Sequence, residues 1–163
     1  MRKMILTTAL VATTLGVYTP ASADETNKLT NFTFSKAVQL PGLTLQPGRY
    51  RFELADPQSS RNVIKVSSED GTKQLAMLQT IPSATLRKPA KDGVVLFGEV
   101  PASEPDAIMA WVYPGERTGY EFVYSHDEAV KLAKRYHTGV LWKSGDKVER
   151  INESGVSSPE GSH

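Results

Sequence analysis

Through much of this chain, apolar side chains recur at every second residue and not every three to four, which restricts it to extended structure. In Gly48–Leu54, Tyr50, Phe52 and Leu54 alternate with Arg49, Arg51 and Glu53. That is the pattern of a strand with one dry face and one wet face. Phe32 and Phe34 share a face in the same way, as do Ile64 and Val66, and Tyr120, Phe122 and Tyr124. The segment Ala107–Tyr113 is apolar on both faces and reads as a central strand. Two Asp-Gly pairs, Asp70-Gly71 and Asp92-Gly93, stand where hairpins want a positive φ.

Turn chemistry divides the strands further. Pro41-Gly42 and Pro47-Gly48 bracket a short extended piece, Leu43–Leu45. Proline has no N–H and glycine accepts a positive φ, so each pair is expected to form a type II turn. A single helix is expected from Ser125 to His137. It opens on a capping box, Ser125 with Glu128 three residues on, and carries Ala129, Leu132, Ala133 and Tyr136 as its apolar stripe. Asp127 and Glu128 suit its first turn and Lys134, Arg135 and His137 its last, with Gly139 as the expected stop. Val140–Ile151 reads as a last hairpin. The fold class is therefore mainly β: an antiparallel β-sandwich or partly closed barrel of eight to ten strands, with one C-terminal helix packed on it.

The ends of the chain read differently. Arg2 and Lys3 precede an apolar run to Val17, then Pro20 and Ala21-Ser22-Ala23. This is the form of a secretory signal peptide cut before Asp24, and the apolar run is too short to span a bilayer. The domain organisation is then residues 1–23 as signal peptide, 24–151 as one β-rich domain, and 152–163, rich in Gly and Ser, as a disordered tail. The mature chain would be exported, periplasmic or extracellular. It has no cysteine, so it is built without disulfides and rests on its core. Losing Arg2 and Lys3 takes the net charge from +1 to −1. Nucleic acid is not an expected partner on that balance, and no later segment is long and apolar enough for a membrane helix.

The stretches "LPGLTLQPGRYRFEL" and "AWVYPGERTGYEFVY", followed by "EAVKLAKR" and "GVL", resemble a family of small exported proteins of environmental bacteria. The resemblance covers most of the mature chain. It implies a shared fold, and it brings no activity and no catalytic residues.

Residues that carry chemistry are sparse. His126 and His137 are eleven apart, about 16 Å along a helix, too far for one metal ion, and His163 sits in the tail. No cofactor or metal is expected. Glu99, Glu116 and Glu121 are the acid–base candidates, but a glycosidase needs two carboxylates in one cleft, and nothing brings Glu53 to Glu121. Asn31-Phe32-Thr33 and Asn152-Glu153-Ser154 match the glycosylation sequon by chance. The richest constellation is Trp111, Tyr113, Tyr120 and Tyr124, with Glu116 and Arg117 on the turn between them and Trp142 within reach. Aromatic groups beside polar ones suit a carbohydrate or protein ligand. Aromatics on paired strands are also ordinary sheet packing, and that reading weighs more. The functional expectation is a non-catalytic binding module using Trp111, Tyr113, Glu116, Arg117, Tyr120 and Tyr124. The alternative is a structural or self-assembling envelope protein, with a hydrolase behind both.

Overall fold

The computed structural model describes residues 23–24, 28–56, 60–98 and 105–159. Of the expected signal peptide only Ala23 is described, paired with Thr30, and residues 1–22 and Glu99 lie outside the described residues. The strands are β1 (Ala23–Asp24), β2 (Leu29–Phe34), β3 (Val38–Leu40), β4 (Leu43–Leu45), β5 (Gly48–Asp56), β6 (Ser60–Ser68), β7 (Gln74–Thr85), β8 (Val94–Phe97), β9 (Asp106–Val112), β10 (Thr118–Phe122), β11 (Val140–Ser144), β12 (Lys147–Ile151) and β13 (Ser157–Pro159). The one helix, α1, is His126–Tyr136.

The fold is mainly β, as the alternation requires. A large sheet runs β1-β2-β5-β6-β7-β10-β9-β3-β4, with β8 on β9, and a small sheet runs β11-β12-β13. Its pairings are antiparallel except one, since β3 lies parallel to β9 through Val38 and Gln39. The large sheet curls until β8 meets β2. Phe97 packs edge-on to Phe34 at 6.5 Å. A Cβ at Gly93 would sit 2.4 Å from Thr30 Cγ2. Among the described residues no ladder joins these two strands, so the barrel is not closed. Close approach, and not a tight hairpin, is the role of Gly93.

The alternating residues divide as expected at Phe52 and Leu54, which are buried. Phe32 meets the Phe52 ring edge-on at 5.3 Å. Burying a phenylalanine of this kind contributes about 2–3 kcal/mol. Glu53 departs from the expected wet face. It is only 6% exposed, held between Arg51 at 3.3 Å and the ammonium of Lys65 across the β5–β6 ladder.

The first Pro-Gly pair is a turn: β3 and β4 pair at Leu40 and Leu43, with Gly42 at φ 65 between them. The second is not. Gly48 has φ 159 and already belongs to β5, so Pro47-Gly48 leads the chain straight into the strand.

The stripe of α1 buries Ala129, Leu132 and Ala133 in the common core, with Tyr136 half-buried. The helix packs mainly on β11, and so covers the small sheet first. Its Glu128 carboxylate accepts from the Ser125 N–H (3.3 Å) and hydroxyl (2.7 Å), and from the Gly42 N–H (2.9 Å). One side chain thus caps the helix and docks the Pro41-Gly42 turn. The helix ends at His137, not at Gly139. His137 takes the left-handed φ of 51 and its N–H bonds Ala133 O. Within the segment expected as a tail, residues 152–159 form a turn and the strand β13. Asn152 Oδ1 accepts from the Ser154 and Val156 N–H groups at 3.0 Å each, turning the chain so that β13 pairs with β12.

Candidate functional site

The turn between β9 and β10 is the part of the expected site that reaches solvent. Pro114 and Gly115 occupy its two central positions, Gly115 has φ 83, and Glu116 N–H bonds Tyr113 O at 3.1 Å. That is the type II arrangement, in which proline sets the first dihedral and glycine tolerates the second. The loop after β7, residues 86–93, lies along this turn. Leu86 N–H donates to Arg117 O (2.8 Å), Ala90 N–H to Glu116 O (2.9 Å) and Gly115 N–H to Ala90 O (2.7 Å). Arg117 Nε donates back to Leu86 O at 3.2 Å. The two loops therefore form one backbone-bonded unit.

Lys28, just before β2, completes the site. Its ammonium donates to the Glu116 carboxylate and, at 2.9 Å, to Tyr120 Oη, and it lies 5.2 Å from the Tyr120 ring centre. Burial disfavours its charge, but the hydrogen bonds to Glu116 and Tyr120 outweigh that and raise its pKa above the usual lysine value. A cleft of about 410 Å³ opens here, lined among the described residues by Lys28, Pro82, Glu116, Arg117, Thr118 and Tyr120.

Of the six expected site residues, Glu116, Arg117 and Tyr120 line this cleft. The aromatics are core, the reading that weighed more, and Trp111, Tyr113 and Tyr124 do not line the cleft. Trp111, Tyr113, Tyr120 and Tyr124 are all under 10% exposed, because the inner faces of β9 and β10 turn into the barrel. Trp111 stacks obliquely on Tyr120 at 5.6 Å and meets Tyr113 edge-on at 6.3 Å. Tyr124 serves elsewhere: its hydroxyl donates to Ile108 O at 2.8 Å, and burial pushes its pKa well up. Trp142 belongs to the small sheet, where its indole N–H donates to Ser157 Oγ at 3.0 Å and its ring meets His126.

A second cleft, of about 540 Å³, runs between the end of α1 and the large sheet, with Glu121 and Arg150 in its wall beside Leu96, Phe97, Met109 and Tyr136. Glu121 accepts from both terminal nitrogens of Arg150 (2.7 and 3.0 Å) and from Ser83 Oγ (2.7 Å). A bulge in the β7–β10 ladder brings Ser83 there. Both oxygens of this carboxylate are engaged, and each cleft has a single carboxylate among its described lining residues. The acid–base pair that a glycosidase uses is not assembled from Glu53, Glu116 or Glu121. Among the described residues, no three His, Cys, Asp or Glu side chains cluster at metal-binding distance. His126 and His137 stand at opposite ends of α1, His137 Nδ1 lying 2.7 Å from Glu153.

Sequence reasoning missed Lys28 and the loop "LRKPAK" at Leu86–Lys91. The cation cluster is visible in the sequence, but its neighbour is visible only once β7 and β10 are paired. The chain matches no protein-family model, no curated protein and no solved structure.

Proposed function

We propose that the mature chain is an exported, non-catalytic binding module of the cell envelope or secretome, and that a carbohydrate or protein ligand seats in the cleft of Lys28, Glu116, Arg117 and Tyr120. The observation that carries this reading is the construction of the cleft. Lys28 from one segment and Glu116, Arg117, Thr118 and Tyr120 from another set donors and acceptors of both signs in one cleft, and the second segment is braced backbone to backbone by the loop of residues 86–93. A ligand site needs such convergent polar groups on a rigid frame. The basic start, the short apolar run and Ala21-Ser22-Ala23 support export. No helix of the described residues is long and apolar enough to cross a membrane. The assembly alternative asks for a long bare edge, whereas the strands ending the large sheet, β1, β4 and β8, have two, three and four residues.

The test is a titration of the mature chain against a panel of oligosaccharides and peptides by calorimetry, repeated with Arg117→Ala and Glu116→Ala. The reading expects at least one ligand whose affinity falls in both variants. A ligand bound equally well by wild type and both variants would place the site elsewhere and contradict it.

A further inference from the structure

The two loops that frame the cleft carry more than its lining. Arg87, Lys88 and Lys91 are exposed on the loop that is bonded to Glu116 and Arg117. None of these three makes an ion pair among the described residues. With Lys28 and Arg117 they bring five cations to one end of the barrel, against two acids in the same segments, Asp92 and Glu116. This surplus stands in a mature chain whose expected net charge is −1, so it is a local accumulation and not a reflection of composition. Concentrated charge of one sign beside a cleft raises the local concentration of oppositely charged ligands and steers them in.

We propose that this end of the barrel docks an acidic polysaccharide, with one sugar unit seated in the Lys28–Tyr120 cleft and its carboxylate or sulfate groups meeting Arg87, Lys88, Lys91 and Arg117. The proposal rests on the binding-module reading and gives it a ligand class. Three features select a glycan over other polyanions. The cleft holds an acceptor, the Glu116 carboxylate, beside the hydroxyls of Thr118 and Tyr120, and sugar hydroxyls need both donors and acceptors. A uniformly phosphate-directed surface would not place a carboxylate at its centre. The exposed large apolar residues among the described ones are Met77 and Val156, and neither belongs to these loops, so the rim has no anchor to sink into a bilayer.

The experiment uses the full mature chain and an oligogalacturonate, with a neutral cello-oligosaccharide, phosphatidylglycerol vesicles, single-stranded DNA and polyglutamate as the other arms. Binding to the oligogalacturonate is expected, and it should weaken as salt rises from about 0.05 to about 0.3 M, since exposed charges are screened. The triple variant Arg87→Glu, Lys88→Glu, Lys91→Glu should bind about tenfold more weakly or worse, as the loss of three exposed ion pairs implies. Its thermal melt, read in parallel, should match wild type. Preference for vesicles, DNA or polyglutamate over the oligogalacturonate would overturn the glycan class. Binding of the neutral oligosaccharide alone, unchanged in the triple variant but lost in Arg117→Ala, would also overturn it while leaving the binding module standing. No binding in any arm would overturn both.

Discussion

In the cleft beside Glu121, the strong charges are spoken for. Arg150 grips both carboxylate oxygens, Ser83 adds a third hydrogen bond, and His137 is held by Glu153. In the cleft beside Lys28, one ion pair sits at the centre, while Arg87, Lys88 and Lys91 stand exposed on the loop bonded to Glu116 and Arg117, without an ion-pair partner among the described residues. The first arrangement spends charge on joining β10 of the large sheet to β12 of the small one. The second leaves charge available. A buried, doubly bonded pair with a fixed partner on another element is a structural clamp. A rim of unmatched cations on a rigid loop contributes little to folding and is suited to something outside the chain.

This contrast can be broken most decisively at the clamp. Arg150→Ala leaves Glu121, itself 9% exposed, buried without its cation. Breaking such a pair costs about 3–5 kcal/mol when it is fully buried. The Arg150 side chain is 30% exposed, so roughly 2–4 kcal/mol is expected in urea unfolding, with binding at the Lys28 cleft unchanged at temperatures where the variant is folded. Next comes Gly139→Ala. Its Cβ would lie 2.7 Å from Arg150 Cδ, so Arg150 must shift from Glu121. A loss of about 1–3 kcal/mol is expected, as for other overpacked sites, and a neutral result would show that the clamp has slack.

At the other cleft the effects should be smaller and of another kind. The raised pKa of Lys28 means that its contribution to stability is fully present below 10.5, the ordinary lysine value, and is lost as pH rises through the higher folded value. Lys28→Met should lack that alkaline limb, so the gap between wild type and variant closes at high pH. A gap that stayed constant would mean that the charge of Lys28 adds nothing to folding. Asp70 supplies a control away from both clefts. The Ser68 hydroxyl, then the Thr72 N–H and hydroxyl, hold its pKa down to about 2. Its contribution is therefore present above 3.8 and disappears as pH falls through about 2. Asp70→Asn should flatten that acid limb without touching either cleft. Smallest of all is the stability effect of the triple reversal at Arg87, Lys88 and Lys91, expected within about 0.5 kcal/mol of wild type, as for exposed positions without packing.

What could be read in advance follows the range of the interactions involved. The strands from Leu29 to Phe34 and from Gly48 to Asp56, the stripe of α1 and the turn at Pro41-Gly42 are set by neighbours along the chain, so alternation, helical spacing and turn chemistry expose them. His137 in place of Gly139 as the helix stop, and the Asn152 turn, depend on local hydrogen bonds that composition does not display. The fate of the aromatics was undecidable from their spacing. Period two puts Trp111 and Tyr113 on one face, and Tyr120 and Tyr124 on one face, but which face is dry depends on how the sheet curls. The cleft is harder still. Lys28, Leu86–Lys91 and Glu116 are far apart in the chain and meet through the β7–β10 ladder and the barrel's curl. Glu53 shows the same limit, since its alternation marks it as wet, and two cations from its own and the next strand cover it.

The division of labour between the two clefts is tested most directly by mapping amide shifts of the isotope-labelled mature chain during titration with an oligogalacturonate. The account predicts shifts confined to Lys28, the Leu86–Asp92 loop and Tyr113–Tyr120, where Pro89 and Pro114 have no amide to report, with Ala84, Phe97, Gly139 and Arg150 unmoved. Shifts centred on Glu121, Gly139 and Arg150, with the cationic loop silent, would contradict it.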